Sequence, residues 1–398
     1  MRIRSISDNL GYIADILTRK GNIHNLLNEC NQYAVTLVFE DINRFQSMLL
    51  CELKYSYTQQ SQRYVSANKE ASDMHPLEKR MYDLYHEMTE LSETYSGTGR
   101  PKKTDFKYGI PYEDARYILP IASNTNLIMT FDGGKFFELL NLMFSSEYSF
   151  VFGNDFHNEL YSISEDMGTI LQIYALNQHI FEHNIDTMSF MSVKDNEDYM
   201  LPNQKVSFAA AISGSKSFNY DIPKDSPIAQ RVIDYGHVSI VEHVEYSFEI
   251  LLSLCCYHQL IRHRHLKIFR QPLTSVNDFK YYIPESIRIN EEYNKKYSDL
   301  MNEISDYLTR KSFPDLTMIP NGFTIKARIV ANPRGLSNFF KLRLCNNAQT
   351  EIRELALYML AHIPAEERFL FGNFKPDCCY DGCKEKGLSC GNPLKGKI

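Results

Sequence analysis

Four stretches of the chain alternate apolar and polar residues with a period of two, and each is followed by a helical pattern. "VEYSFEI" (244–250) sets Val244, Tyr246, Phe248 and Ile250 against Glu245, Ser247 and Glu249, the pattern of a half-buried strand. The apolar stretch "LLSLCCYHQLI" follows and ends at the triplet Arg262-His263-Arg264. "AVTLVFE" (34–40) alternates more loosely before "DINRFQSMLLCEL", where Asp41 is the expected helix cap and Ile42, Phe45, Met48 and Leu49 the apolar face. "NTNLIMTFDGGKFFELLNLM" (124–143) alternates at Leu127, Met129 and Phe131, with a helix opening near Asp132. "GFTIKARIVANPRGLSNFFKLR" (322–343) repeats that layout, with Asn332 as cap and Pro333 at the first helical position.

The last two stretches align without a gap at an offset of 200, Pro120 on Pro320 and Met143 on Arg343. We read an internal duplication of two α/β (α+β) units, each a central sheet with packed helices, divided in the polar stretch 182–204. The expected domains are 1–190 and 191–398. Two copies are too few for a solenoid.

Composition narrows the class. The chain has 398 residues, 43% hydrophobic and 23% charged, as in an ordinary soluble protein. It has no apolar run of 18 residues, so no spanning helix is expected, and "MRIRSISDNLGYIADIL" lacks the apolar stretch of a secretory signal. A cytoplasmic location with reduced thiols follows as the expectation. The formal charge of −6 argues against broad nucleic-acid binding. An RNA-binding module on a basic helix 262–270 is disfavoured on that ground and by the lack of interleaved aromatics.

Three polar clusters sit inside regular structure in the second half: "GHVSIVEH" (236–243), "HQLIRHR" (258–264) and "NPRGLSNFFKLR" (332–343). Arg262 and Arg264, near a helix end, present forks suited to a phosphate or a planar carbonyl-bearing ring. Asn332, Arg334 and Asn338 lie at a helix N-terminus, where backbone amides already favour anions, and Arg343 lies further along the same helix. Clusters on three successive elements point to a shared anionic partner.

Together these clusters resemble the flavin-dependent thymidylate synthases, whose signature is Arg-His-Arg, seven residues, Ser, and an Arg two places on. "KVSF" (205–208), the three clusters and "AQTEIRELA" occur in the family's order. The signature is nevertheless broken, because Pro272 stands at the serine position and Thr274 at the arginine position. The missing part is in the first unit, where "KYSYTQQSQRYV" (54–65) supplies Gln59, Ser61, Arg63 and Tyr64, while the triplet position reads Cys51-Glu52-Leu53. Arg116 in "YEDARYILP" likewise matches a family arginine that Leu316 replaces in the second unit. Conversely, Asn332, Arg334 and Arg343 correspond to Asp132, Gly134 and Met143. Each unit lacks what the other keeps, which we read as one retained composite site.

The resemblance implies roles. Gln59, Ser61, Arg63, Tyr64 and Gln259 would hold the nucleotide, and Arg116, Arg262 and Arg343 would surround the base. Ser207, His237, Ser239, Glu242, His263, Arg264, Asn332, Arg334 and Asn338 would hold FAD. NADPH would be the reductant and methylenetetrahydrofolate the carbon donor in making dTMP from dUMP. None of the nine cysteines sits in a matching loop, so thiol activation of the base is not indicated. A dimer of fused chains would imitate the family's homotetramer, with no nucleic acid or membrane partner. The alternatives are a C5-methylase or hydroxymethylase acting on UMP or another uridylate, and a flavin- or nucleotide-binding regulator without turnover. Lys267 and Arg270 stand as extra cations beside the flavin side. The tail carries Cys378, Cys379, Cys383 and Cys390, but no clean pair of Cys-x-x-Cys spacings, and no metal is assigned.

Overall fold

The computed structural model describes residues 1–7, 9–63, 66–67, 74–97, 101–144, 148–181, 200–214, 221–276, 278–311, 315, 318–386, 389–394 and 396. The chain forms two compact units, one of residues 1–188 and 272–323, the other of residues 189–271 and 324–398. The expected repeats, 1–190 and 191–398, are thus distributed over the units, with 272–323 lying in the first.

In the first unit, strands β1 (Arg2–Ser5), β2 (Ala34–Asn43), β3 (Ser56–Gln59) and β4 (Asn124–Asp132) form an antiparallel sheet in the order β1-β2-β4-β3. The register sets Val35 opposite Phe131, Leu37 opposite Met129 and Phe39 opposite Leu127, and all six are buried. A slip of one residue would turn that whole apolar set to the other face. The register breaks between Phe39 and Ile42, where Asp41 takes a φ of 54°. The strand therefore runs past Asp41, and the helix Arg44–Glu52 starts later than expected. Its cap is Asn43, which exchanges hydrogen bonds with Gln46 in a capping box of 2.8 and 2.9 Å.

Segment 272–323 brings the helix Glu291–Thr309 against Pro76–Met88. Arg80 pairs with Glu303 and Lys296 with Glu87, both at 2.6 Å. Pro120 and Pro320, the residues that align across the repeat, form an antiparallel bridge. Beside them the Ile121 amide donates to Ile319 at 2.7 Å and the Asn321 amide to Leu119 at 2.8 Å. Equivalent positions facing one another are the mark of an isologous, two-fold contact.

In the second unit, β5 (Tyr246–Ser253), β6 (Lys267–Arg270) and β7 (Thr324–Ala331) form an antiparallel sheet in the order β5-β7-β6. Phe248 faces Ile329, Ile250 faces Ala327 and Leu252 faces Ile325, all buried. Helices Leu254–Leu260, Pro333–Arg343 and Thr350–Ala361 follow the strands. Both units mix helices with a small antiparallel sheet, the α+β form of the expectation. The helix ends at Leu260, just before the triplet expected near a helix end, and residues 267–270 pair with β7, so the basic helix 262–270 of the disfavoured RNA-binding alternative does not form. Lys267 is bridged to Glu245 at 2.5 Å, and Arg270 is buried. Among the described residues, no helix is long and apolar enough to cross a membrane.

Candidate functional site

In the second unit the cationic triplet is positioned by buried polar contacts at both ends of the preceding helix. Ser253 caps that helix by accepting from the Cys256 amide at 3.0 Å. Its own amide and hydroxyl donate to the two carboxylate oxygens of Glu351, at 2.8 and 2.5 Å. Near the other end, Gln259 donates to Gln349, and both are buried. The start of helix Thr350–Ala361 thus holds the helix that ends at the triplet. Gln259, expected at the nucleotide, lies in this internal contact.

His263 is buried, with its ring edge-on to Phe339 at 5.0 Å. Its Nε2 accepts from Arg343 Nε at 2.8 Å. Burial, then the neighbouring Arg343 and Arg262, hold the imidazole pKa down to about 3, so the ring is neutral. Arg262 is half-buried and Arg264 exposed.

Asn332 caps the helix Pro333–Arg343 as expected, accepting from the Gly335 amide at 2.9 Å. Arg334 and Glu242, both expected at the cofactor, pair at 2.5 Å on the exposed side, and His237, Ser239 and Asn338 are also exposed. Ser207 is buried on helix Pro202–Gly214, and its hydroxyl has no hydrogen-bond partner among the described residues.

In the first unit, Arg63 and Arg116 meet on one residue. Arg63 Nε donates to Glu113 Oε2 at 2.6 Å, and Arg116 Nε to the Glu113 carbonyl oxygen at 3.2 Å. The Ser61 hydroxyl accepts from the Arg63 amide at 3.3 Å, and Gln59 donates to Ser47 at 2.6 Å. Next to this group Asp114 accepts from the Ser286 hydroxyl at 2.6 Å, and burial pushes its carboxyl up to about 6. Tyr64 and Leu316 lie outside the described residues.

The first unit is closed where the second carries Arg334. Helix Ile23–Cys30 precedes β2 as the turn Val238–His243 precedes β5. A Cβ on Gly134 would overlap the Leu27 carbonyl oxygen and Asn31 Oδ1, and one on Gly133 would lie 2.7 Å from the Cys30 carbonyl. No side chain fits at position 134.

Sequence reasoning missed Glu113, Gln349, Glu351 and Phe339. Glu351 and Gln349 lie in the quoted "AQTEIRELA", and Glu113 in "YEDARYILP", but their partners are set by tertiary structure alone. In the tail, Cys390 Sγ accepts from the Asn392 amide at 3.4 Å and Cys378 Sγ from the Leu394 amide at 3.5 Å. Among the described residues, no three His, Cys, Asp or Glu side chains are grouped to hold a metal.

The class so defined is an α+β protein of two units, each a small antiparallel sheet with packed helices. A family model described as "Thymidylate synthase complementing protein" matches residues 8–149 and 197–366, well over half of the chain, and the chain belongs to that family. It is similar to the flavin-dependent thymidylate synthase of Geobacter sulfurreducens, 30% identical over 178 residues, covering 42% of this chain and 77% of that one. The enzyme of the same name from Pyrococcus furiosus is 33% identical over 214 residues, covering 47% and 86%. That of Pyrococcus horikoshii is 35% identical over 218 residues, covering 47% and 87%. A crystal structure of the Helicobacter pylori flavin-dependent thymidylate synthase, complexed with FAD and dUMP, covers 44% of this chain and 96% of that one at 22% identity and a TM-score of 0.36.

Proposed function

We propose that this chain is a flavin-dependent thymidylate synthase making dTMP from dUMP, with methylenetetrahydrofolate as carbon donor, FAD as cofactor and NADPH as reductant. The observation that carries the reading is the division of the family's arginines between two ordered clusters, Arg63 with Arg116 in one unit and Arg262 with Arg343 in the other. The relatives' name and the family membership support it.

The first unit contributes the nucleotide side. Arg63 and Ser61 bind the phosphate, with Gln59 and Tyr64 alongside, and Arg116 lies at the base. The second unit contributes Arg262 and Arg343 to the base, and Gln259, buried against Gln349, holds the end of the 254–260 helix that carries Arg262. C5 of uracil becomes nucleophilic when charge on the ring carbonyls is stabilised, which arginine forks do well away from water. The residues suit a phosphate-rich flavin cofactor: Arg264, Arg334 and the helix N-terminus at Asn332 favour anions, and among the described residues the Ser207 hydroxyl is left without a hydrogen-bond partner. His237, Ser239, Glu242 and Asn338 complete the cofactor side. Bound reduced FAD would supply the hydride and the folate the one-carbon unit. A dimer of chains would imitate the family's tetramer, with two sites rather than four.

The test is product analysis with dUMP and UMP side by side, on protein checked for a flavin spectrum that NADPH bleaches. dTMP from dUMP is expected, with nucleotide binding abolished in both Arg63→Ala and Arg262→Ala. Protein that takes up neither FAD nor dUMP sinks the reading. Turnover of UMP instead moves the substrate to another uridylate.

A further inference from the structure

We infer that His263 is a positioning residue, a neutral acceptor that aims Arg343 without neutralising it. This rests on the reading above, in which Arg343 acts on the uracil ring.

The geometry sets the proton inventory. Nε2 can accept from Arg343 Nε at 2.8 Å only if that nitrogen is unprotonated, so a neutral ring carries its hydrogen on Nδ1. Burial comes first in making protonation of the ring costly, followed by the charged groups that face it, Arg343 from its helix and Arg262 and His265 from its own turn. The contact is made at Nε, the guanidinium nitrogen next to the side chain's stem, so it fixes the direction of the terminal Nη pair.

The chemistry explains a histidine here. A carboxylate would bind Nε more strongly, but its charge would cancel part of the field that Arg343 offers to a developing ring anion. An imidazole gives direction without that loss. The family resemblance implied a cofactor contact for His263, whereas its buried ring lies between Arg343 and Phe339.

Full-length His263→Gln, His263→Ala and His263→Asp are compared with wild type for FAD content, dUMP affinity, kcat and KM. Glutamine supplies a neutral acceptor, so His263→Gln is expected to keep kcat within about tenfold of wild type and to outperform His263→Ala. His263→Asp is expected to lose on the order of 100-fold in kcat with dUMP KM little changed, as for loss of one electrostatic stabiliser. Equal activity of the Asp and Gln variants, or FAD loss in step with activity in all three, overturns the inference. Nitrogen-15 NMR of the histidines gives a readout independent of turnover. His263 should stay neutral with Nε2 unprotonated at pH 5, and its Nε2 shift should move in Arg343→Lys. A protonated ring at pH 5 defeats the inference even in an active enzyme. A wild type that makes no dTMP while this NMR signature holds defeats the functional reading and leaves the contact standing.

Discussion

Arg63 and Glu113 form an ion pair at 2.6 Å, both side chains largely shielded from solvent. Arg63 is the residue proposed to take the nucleotide phosphate, so an internal carboxylate already occupies the Nε edge that a phosphate would share. Two anions beside one guanidinium repel, and the nucleotide must bind against that repulsion. Glu113→Gln should therefore lower stability by about 1–2 kcal/mol, between the values for exposed and buried pairs. It should also tighten dUMP binding by roughly threefold or more, since the competing charge is gone. Calorimetric titration and thermal unfolding read the two effects separately. Weaker binding in the variant would show that Glu113 orients Arg63 rather than competing for it.

Two buried groups with opposite shifts shape the pH dependence. The folded-state pKa of His263 is depressed from 6.5 to about 3, so the unfolded chain binds the extra proton and stability falls as pH drops through that window. The limit is about 1.4 kcal/mol per pH unit. Asp114 is shifted the other way, from 3.8 to about 6, so its native form holds a proton that the unfolded chain gives up. Its contribution is complete below pH 3.8 and is lost as pH rises through 6. Between pH 4 and 6 the two slopes oppose each other. His263→Gln should flatten the loss of stability on acidification, and Asp114→Asn should steepen it, in denaturant melts taken across pH 4 to 7. Parallel curves for wild type and both variants would contradict this.

Glu351 is a buried carboxylate that takes both the amide and the hydroxyl of Ser253. Because Ser253 also starts the helix leading to the triplet, this contact sets where Arg262 and His263 lie. Glu351→Ala leaves buried donors unanswered and should cost about 2–4 kcal/mol, with weakened FAD retention. Glu351→Gln keeps one acceptor and should cost less. Denaturant unfolding with a flavin-fluorescence readout checks both.

The strands were legible because their period of two is unambiguous where one face is buried, as at Val35, Leu37 and Phe39. The cap was misplaced by two residues, because the register break around Asp41 extends β2 and only Asn43 has Gln46 three places on. Strand β6 was hidden, since four residues with a cation at each end carry little pattern and owe their strand form to β7. Among site residues, the arginines stood out by motif, whereas Glu113, Gln349 and Glu351 matter through partners 50 to 98 residues away. Sequence spacing does not encode such contacts.

Gly134 and Arg334 occupy the same place in the repeat and make opposite demands. At 334 the side chain is exposed and paired with Glu242, so Arg334→Gly should leave the fold within about 0.5 kcal/mol of wild type while weakening FAD binding. At 134 even one added carbon overlaps the backbone of helix Ile23–Cys30 and the Asn31 side chain. Gly134→Ala should therefore cost about 2 kcal/mol or more through overpacking, and Gly134→Arg should fail to fold or displace that helix. Hydrogen exchange across residues 23–31 distinguishes those two outcomes. A Gly134→Arg protein that folds with this helix protected would mean that the first unit's counterpart site is open. Loss of protection there means that helix Ile23–Cys30 fills the space at position 134 that the side chain of Arg334 has in the other unit.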